Sequence, residues 1–135
     1  MPRLLFLLWI TGLLLYSNAT FAQREFTMVE GDSLVTMKRY VFMLLETGAN
    51  RNQDSVSSAE IQRGHMEHIA KLSASGKLVM AGPFEAADRY RGLFVFDVET
   101  VEEAEALVQT DPAVSSGRLT PKTFYWWTAR GSRLP

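Results

Sequence analysis

The order of hydrophobic and polar positions predicts an alternation of strands and helices along the chain. Residues 39–46 and 92–98 are apolar on both alternating sets of positions, which is typical of strands buried on both faces. Residues 77–80 and 119–128 predict two further strands. Between them, apolar side chains recur every three to four positions and predict two amphipathic helices, the first after a polar loop at residues 48–56.

Start and stop signals fit these helices. Ser57 and Glu60 have the spacing of a capping box, and Thr100 with Glu103 repeats it before the second helix. Gly76 stands where a left-handed residue would end the first helix. We therefore expect the order strand, helix, strand, strand, helix, strand.

That order predicts an α+β fold, the ferredoxin-like βαββαβ sandwich. Two helices can cover only one face of such a sheet, whereas Leu93 and Val95, and likewise Phe124 and Trp126, make the second face apolar too. A second copy of the chain, packed sheet against sheet, would cover it. The sequence thus predicts a homodimer.

The N-terminus has the pattern of an export signal. Arg3 is followed by an uncharged, mostly apolar run, and Ala22 follows Thr20 and Phe21 at a suitable cleavage position. We expect residues 1–22 to be a signal peptide cleaved after Ala22, giving a secreted or periplasmic protein without a membrane anchor. An uncleaved N-terminal anchor is the alternative. Residues 23–38 are predicted to be an extension, packed on the domain or partly mobile, residues 39–129 the domain and residues 130–135 a tail.

Composition excludes several functions. The chain of 135 residues has a formal net charge of −1, which does not favour nucleic-acid binding. It contains no cysteine, so disulfides, thiol nucleophiles and thiolate metal sites are excluded. We find no glycine-rich nucleotide motif, P-loop or nucleophile elbow, and predict no cofactor.

Two histidines lie on the apolar stripe of the first predicted helix. At about 100° per residue, one face collects Ile61, His65, His68, Ile69 and Leu72. An imidazole is costly to bury unless its nitrogens find partners, so this stripe requires an explanation.

The chain resembles the YCII-related family of small dimeric α+β barrel proteins. The matching features are His65, Gly76, the turn at residues 81–84, the strand RGLFVFDV at residues 91–98 and Asp111-Pro112. The resemblance covers roughly residues 40–127 and implies a cleft with a His–Asp pair, here His65 and Asp111. One branch of the family resembles cofactor-free dehydrochlorinases of hydroxylated aromatics.

The same resemblance extends to the loop at residues 48–53. That loop would lie over the cleft mouth, where Arg51, with Asn50 beside it, could bind a carboxylate or phenolate. His68 would line the same cleft or its rim. Gly82 and Pro83 complete the candidate substrate-binding residues, although their first role is in backbone geometry.

Structural alternatives exist for these candidates, and the loop that carries Arg51 could simply be solvated. His65 could be a core histidine satisfied by a backbone carbonyl, and Asp111 could merely cap the turn at Pro112. His65 and His68, three positions apart on a helix, could together bind a metal ion. No third ligand is evident, however, and we predict no metal site.

Three functions remain open. The protein could be a lyase- or isomerase-like enzyme in which His65 and Asp111 transfer a proton of a small anionic or aromatic substrate. It could instead be a binding module that captures such a ligand without converting it, or a structural dimer.

Overall fold

The computed structural model describes residues 23–85 and 88–135, so the predicted signal peptide lies outside the described residues. Within these residues no helix is long and apolar enough to cross a membrane. The elements follow in the order β1 (Glu25–Glu30), β2 (Ser33–Thr47), α1 (Ser55–Ala74), β3 (Leu78–Pro83), β4 (Tyr90–Phe96), α2 (Val101–Val108), α3 (Pro112–Ser115) and β5 (Leu119–Ala129).

The strands of the described part form one antiparallel sheet with β2 in its middle. Strand β2 pairs with β4 through residues 41–46 and with β5 through residues 37–47, while β3 pairs with the outer edge of β4. The spatial order β5-β2-β4-β3 with two helices between the strands confirms the predicted ferredoxin-like α+β fold.

The segment predicted as an extension, residues 23–38, is a β-hairpin, so the first predicted strand begins at Ser33 rather than Arg39. Strand β1 pairs with residues 33–38 of β2 around a turn at Gly31 and Asp32. Because residues 37 and 38 also pair with β5, β1 must lie on the β4 edge of β2. The hairpin side chains are mostly exposed or half-buried. Because a strand shows regular hydrophobic alternation only when one face is buried, the sequence shows no clear sign of these strands.

An ionic cluster fixes the hairpin to the end of β4. Asp97 accepts hydrogen bonds from Lys38 Nζ and Arg24 Nη2, each at 2.6 Å. Burial acts to raise the pKa of Asp97, but the hydrogen bonds from Lys38 and Arg24 and their positive charges outweigh it and hold that pKa below its ordinary value. The hairpin also contacts β5, since the rings of Phe26 on β1 and Trp127 on β5 lie 5.0 Å apart. The hairpin is therefore joined to the domain by polar and aromatic contacts.

The predicted cap of α1 is wrong. Asp54, not Ser57, is the N-cap, and its Oδ1 accepts from the Ser57 backbone N–H at 2.7 Å, so α1 begins at Ser55. Half of the capping box predicted for α2 is present. Thr100 Oγ1 accepts from Glu103 N at 3.1 Å, whereas Glu103 Oε2 accepts from Glu99 N and not from Thr100 N. Gly76 has φ 75°, the left-handed conformation expected at the end of α1.

The hydrophobic core lies between the helices and one face of the sheet. The predicted α1 stripe faces it, since His65 and Leu72 are buried while Arg63, Glu67 and Lys71 are exposed. The core cluster comprises Val41, Met43, Leu45, Leu72, Leu78, Phe94, Phe96, Val98, Ala104 and Val108.

The opposite face of the sheet carries no helix among the described residues. The strand alternation places Tyr40 and Phe42 there, paired with Trp126 and Phe124 on β5. Their rings pack together, with Phe42 and Trp126 centroids 5.9 Å apart, yet Phe124 and Trp126 remain 42% and 40% exposed. This open face is thus aromatic and partly solvent-accessible.

Candidate functional site

The site is built where α1 crosses α3. A Cβ atom at Gly64 would lie 2.7 Å from Pro112 Cγ, so only glycine allows this close approach of the two helices. The next residue on α1 is His65, and the residue before Pro112 is Asp111. The close crossing thereby brings together two side chains that are 46 positions apart in the sequence.

His65 and Asp111 form a buried hydrogen-bonded pair. His65 Nδ1 lies 2.7 Å from Asp111 Oδ2, with residue exposures of 9% and 0%. Because an ionised carboxylate can only accept, Nδ1 carries the hydrogen in this contact. In the neutral imidazole the lone pair then resides on Nε2, as a general base requires.

Asp111 also caps α3. Its second oxygen, Oδ1, accepts from the Ala113 backbone N–H at 2.8 Å. Capping and pairing with His65 had been alternative interpretations of this residue, but it makes both contacts at once. The cap fixes the carboxylate, and the fixed carboxylate can orient the imidazole.

A cavity of about 440 Å³ opens beside His65. This volume is within the range of small-molecule sites. The imidazole stacks on Phe94 at a centroid distance of 6.0 Å and an interplanar angle of 23°. The lining residues are Leu45, Arg51, Ile61, Gln62, His65, Met66, Ile69, Ala81, Gly82, Pro83, Arg91, Gly92, Phe94, Ala113, Arg118 and Leu119.

Three arginines contribute to this lining, and sequence analysis had found only Arg51. Arg51 Nη1 donates to the backbone oxygen of Arg118 at 3.2 Å. Desolvation lowers the pKa of the exposed Arg51 guanidinium, and the nearby positive charges of Arg118 and Arg91 lower it further. None of the described lining residues is acidic. The cavity is therefore positively charged on one side.

The structure brings the predicted residues together only in part. Gly82 and Pro83 line the cavity with Arg51 and His65, but His68 and Asn50 do not. His68 Nε2 donates to the Leu107 backbone oxygen at 3.0 Å, because it turns toward α2 rather than toward the cavity.

Asn50 supports the loop instead of the cavity. Its Nδ2 donates to Ser116 O at 2.9 Å, and its backbone N–H donates to Gly117 O at 3.1 Å. These contacts fix the loop before α1 against the turn at residues 116–118, which precedes β5 and carries Arg118. Asn50 thus acts on Arg51 and Arg118 indirectly.

Sequence reasoning did not assign Arg91 or Arg118 to the cavity. Arg91 is the first residue of the strand RGLFVFDV that resembles the family, and Arg118 lies between Gly117 and the first residue of β5; neither position indicates a binding site. Only the pairing of the strands brings them to the cavity. Among residues 23–85 and 88–135, no group of three His, Cys, Asp or Glu side chains could hold a metal ion.

Residues 41–123 match the model of the YCII-related domain, a span that contains both His65 and Asp111. This chain belongs to the YCII-related family. It is 33% identical over 79 residues to Uncharacterized protein YjpA of Bacillus subtilis (strain 168), which covers 58% of this chain and 84% of YjpA. Strand β1 lies wholly outside the matched span, and β5 extends beyond it after residue 123.

Two solved structures are more distantly similar. The 5-chloro-2-hydroxyhydroquinone dehydrochlorinase (TftG) from Burkholderia phenoliruptrix AC1100, in complex with 2,5-dihydroxybenzoquinone, gives a TM-score of 0.43 at 18% identity, over 64% of this chain and 90% of that chain. A dimeric protein of unknown function and ferredoxin-like fold from Bacteroides fragilis NCTC 9343 gives 0.40 at 8% identity, over 64% and 94%. Neither similarity bears on what this chain binds or converts.

Proposed function

We propose that this YCII-related protein is a small-molecule enzyme, lyase- or isomerase-like, in which His65 transfers a proton. The observation that carries the proposal is the hydrogen bond of 2.7 Å between His65 Nδ1 and Asp111 Oδ2 beside the cavity. A histidine that only fills a core needs one partner for its N–H. Here the partner is a fully buried carboxylate, which fixes the tautomer and the orientation of the ring as a catalytic step requires.

The proposed step uses only side chains of this chain. Nε2 of His65 takes a proton from a substrate carbon or hydroxyl, and the electron pair of the broken bond remains on the substrate. In an elimination, that pair expels a leaving group with its own electrons; in an isomerisation, His65 returns the proton to another atom. Asp111 holds the ring and stabilises the imidazolium in between.

The experiment is a screen of hydroxyaromatic and carboxylic acids with the purified protein in D2O. Nuclear magnetic resonance would follow both product formation and loss of substrate protons to solvent. We expect His65→Ala to abolish either reaction and His68→Ala, the matched control on the same helix, to leave it intact. A compound that binds beside His65 without exchange or product would support the binding module instead.

We also propose that the open face is covered in a homodimer. Its support is the cluster formed by Tyr40, Phe42, Phe124 and Trp126, which stays partly exposed in one chain. Aromatic surfaces of this kind are enriched in the cores of protein interfaces. The dimer would leave the cavity accessible, since the cavity lies on the helix side of the sheet with Phe94.

We also propose that the protein is exported, and the N-terminal sequence pattern alone supports this. Mass spectrometry of the protein recovered from cells would test it. A chain beginning at Gln23 is expected, and a chain that keeps residues 1–22 would contradict cleavage after Ala22.

A further inference from the structure

The positive side of the cavity is preorganised by neutral partners. Arg118 Nη1 donates to Gln53 Oε1 at 2.8 Å and to Ser58 Oγ at 3.2 Å. Gln53 in turn donates from Nε2 to Asn50 O at 3.1 Å. Because an amide and a hydroxyl satisfy hydrogen bonds without supplying charge, they orient Arg118 but do not neutralise it.

Arg51 is oriented in the same way. Its Nη1 donates to a backbone oxygen, that of Arg118, so the contact that positions it is again uncharged. The guanidinium groups of Arg51 and Arg118, held beside each other, repel. Bound oxyanions would remove this repulsion, and a planar guanidinium can hold a carboxylate through two parallel hydrogen bonds.

Apart from His65 and Gln62, the remainder of the lining is apolar. Phe94 and Leu45 rise from the sheet, Ile61 and Ile69 come from α1, and Leu119 begins β5. A ligand that fits both sides has a compact apolar body with its charges on one side. A single carboxylate would balance only one of the two guanidinium charges of Arg51 and Arg118.

We propose that the cavity selects small acids that carry two negative oxyanion groups on an apolar, ring-sized body. This inference names the substrate class and rests on the proposed function for the role of His65, but not for binding itself. Arg51 and Arg118 are the selecting residues, and Phe94 with the α1 isoleucines contacts the body. The selectivity is electrostatic, so it decreases as salt screens the charges.

The test measures dissociation constants of benzoate and of its three dicarboxylate relatives, phthalate, isophthalate and terephthalate, by calorimetry. We expect at least one dicarboxylate to bind about tenfold more tightly than benzoate at low salt, and the ratio to fall at high salt. Arg51→Gln and Arg118→Gln should each bring the ratio close to one. Arg63→Gln, on the outward face of α1, should preserve it.

Equal affinities for benzoate and all three dicarboxylates would overturn the proposal, as would a preference that survives both arginine substitutions. Arg51→Gln keeps the test valid if Arg118→Gln fails to fold, because Arg51 is exposed and makes only one of the hydrogen bonds described. His65→Ala separates the two proposals. Dicarboxylate preference without turnover would contradict only the enzyme, and turnover of acids with one charge and no preference would contradict only this inference.

Discussion

Asp111 Oδ2 lies 2.7 Å from His65 Nδ1, while the other oxygen of the same carboxylate caps α3 through Ala113 N. The capping contact is a structural one and the contact to His65 is the one that could serve chemistry. Because one side chain makes both, a single substitution can be chosen to change the contact with His65 alone or to remove both contacts.

Asp111→Asn and Asp111→Ala separate these two roles. The asparagine keeps its one oxygen for Ala113 N and turns its NH2 group, a donor, toward His65 Nδ1. We therefore expect an intact fold, a His65 ring forced into the other tautomer, and turnover reduced about tenfold or more. The alanine leaves a buried imidazole N–H unpaired and removes the cap, which should lower the free energy of unfolding by about 2–4 kcal/mol. Denaturant unfolding measures the stability, and turnover of any substrate found in the screen measures the activity. Equal stability of the two variants would contradict the double role.

Gly64→Ala tests the close crossing of α1 and α3. Helix propensity alone predicts a gain of about 1 kcal/mol, whereas overpacking against the Pro112 ring costs about 1–3 kcal/mol. We expect the cost of overpacking to exceed the gain in helix propensity, because the Pro112 ring is rigid. The variant should therefore lose stability, and His65 should be displaced from Asp111. Gly82→Ala is the control, since a Cβ there meets no atom within 4 Å. A stabilised Gly64→Ala protein would show that the helices can separate freely.

Asp97→Asn should loosen the N-terminal hairpin. Removing the charge that binds Lys38 and Arg24 should lower the free energy of unfolding by about 1–3 kcal/mol near neutral pH. Glu67→Gln, which removes an exposed ion pair with Arg63, should change it little.

The effect of Asp97→Asn depends on pH in a defined direction. Since the folded pKa of Asp97 lies below its ordinary value, its stabilisation is complete above the unfolded pKa of about 3.9 and is lost as pH falls through the folded pKa. The difference in Tm between the parent and the variant should therefore shrink below about pH 4. A difference that grows on acidification would contradict this assignment.

Trp126→Glu tests the proposed homodimer. Sedimentation of the parent should give twice the mass of one chain, and the charged variant should sediment as a folded monomer, because burying an unpaired carboxylate in an apolar interface is costly. Val56→Glu, at an exposed position on α1, serves as the control and should remain dimeric. A monomeric parent, or a dimer that tolerates the glutamate, would exclude this face as the interface.

Local patterns were sufficient to predict the fold and the burial of His65, while its pairing with Asp111 was suggested by the family resemblance. The two-sided apolar strands and the stripe through His65 and Leu72 follow directly from periodicity, and both agree with the structure. The hairpin was missed because its exposed strands lack a buried face. Asp54 was missed as a cap since Ser57, three residues on, offered an equally good local signal.

The charged half of the site could not be predicted in this way. Arg118 reaches the cavity only because β5 pairs with β2 and brings its start beside the loop that carries Arg51. Similarly, His68 shares the helical stripe with His65, but the nearby Leu107 carbonyl turns it away from the cavity. Such choices are made by tertiary contacts, and no spacing within α1 encodes them.

The most direct test of the central claim is nitrogen-15 spectroscopy of the two histidine side chains of the protein. In the neutral state, His65 should carry its hydrogen on Nδ1 and His68 on Nε2, because Asp111 and Leu107 respectively accept from those atoms. A bound acid should shift the Nε2 signal of His65 and leave His68 unchanged, and Asp111→Asn should disturb only His65. A His65 that carries its hydrogen on Nε2, or that stays silent while an acid occupies the cavity, would contradict its role as the proton-transferring base.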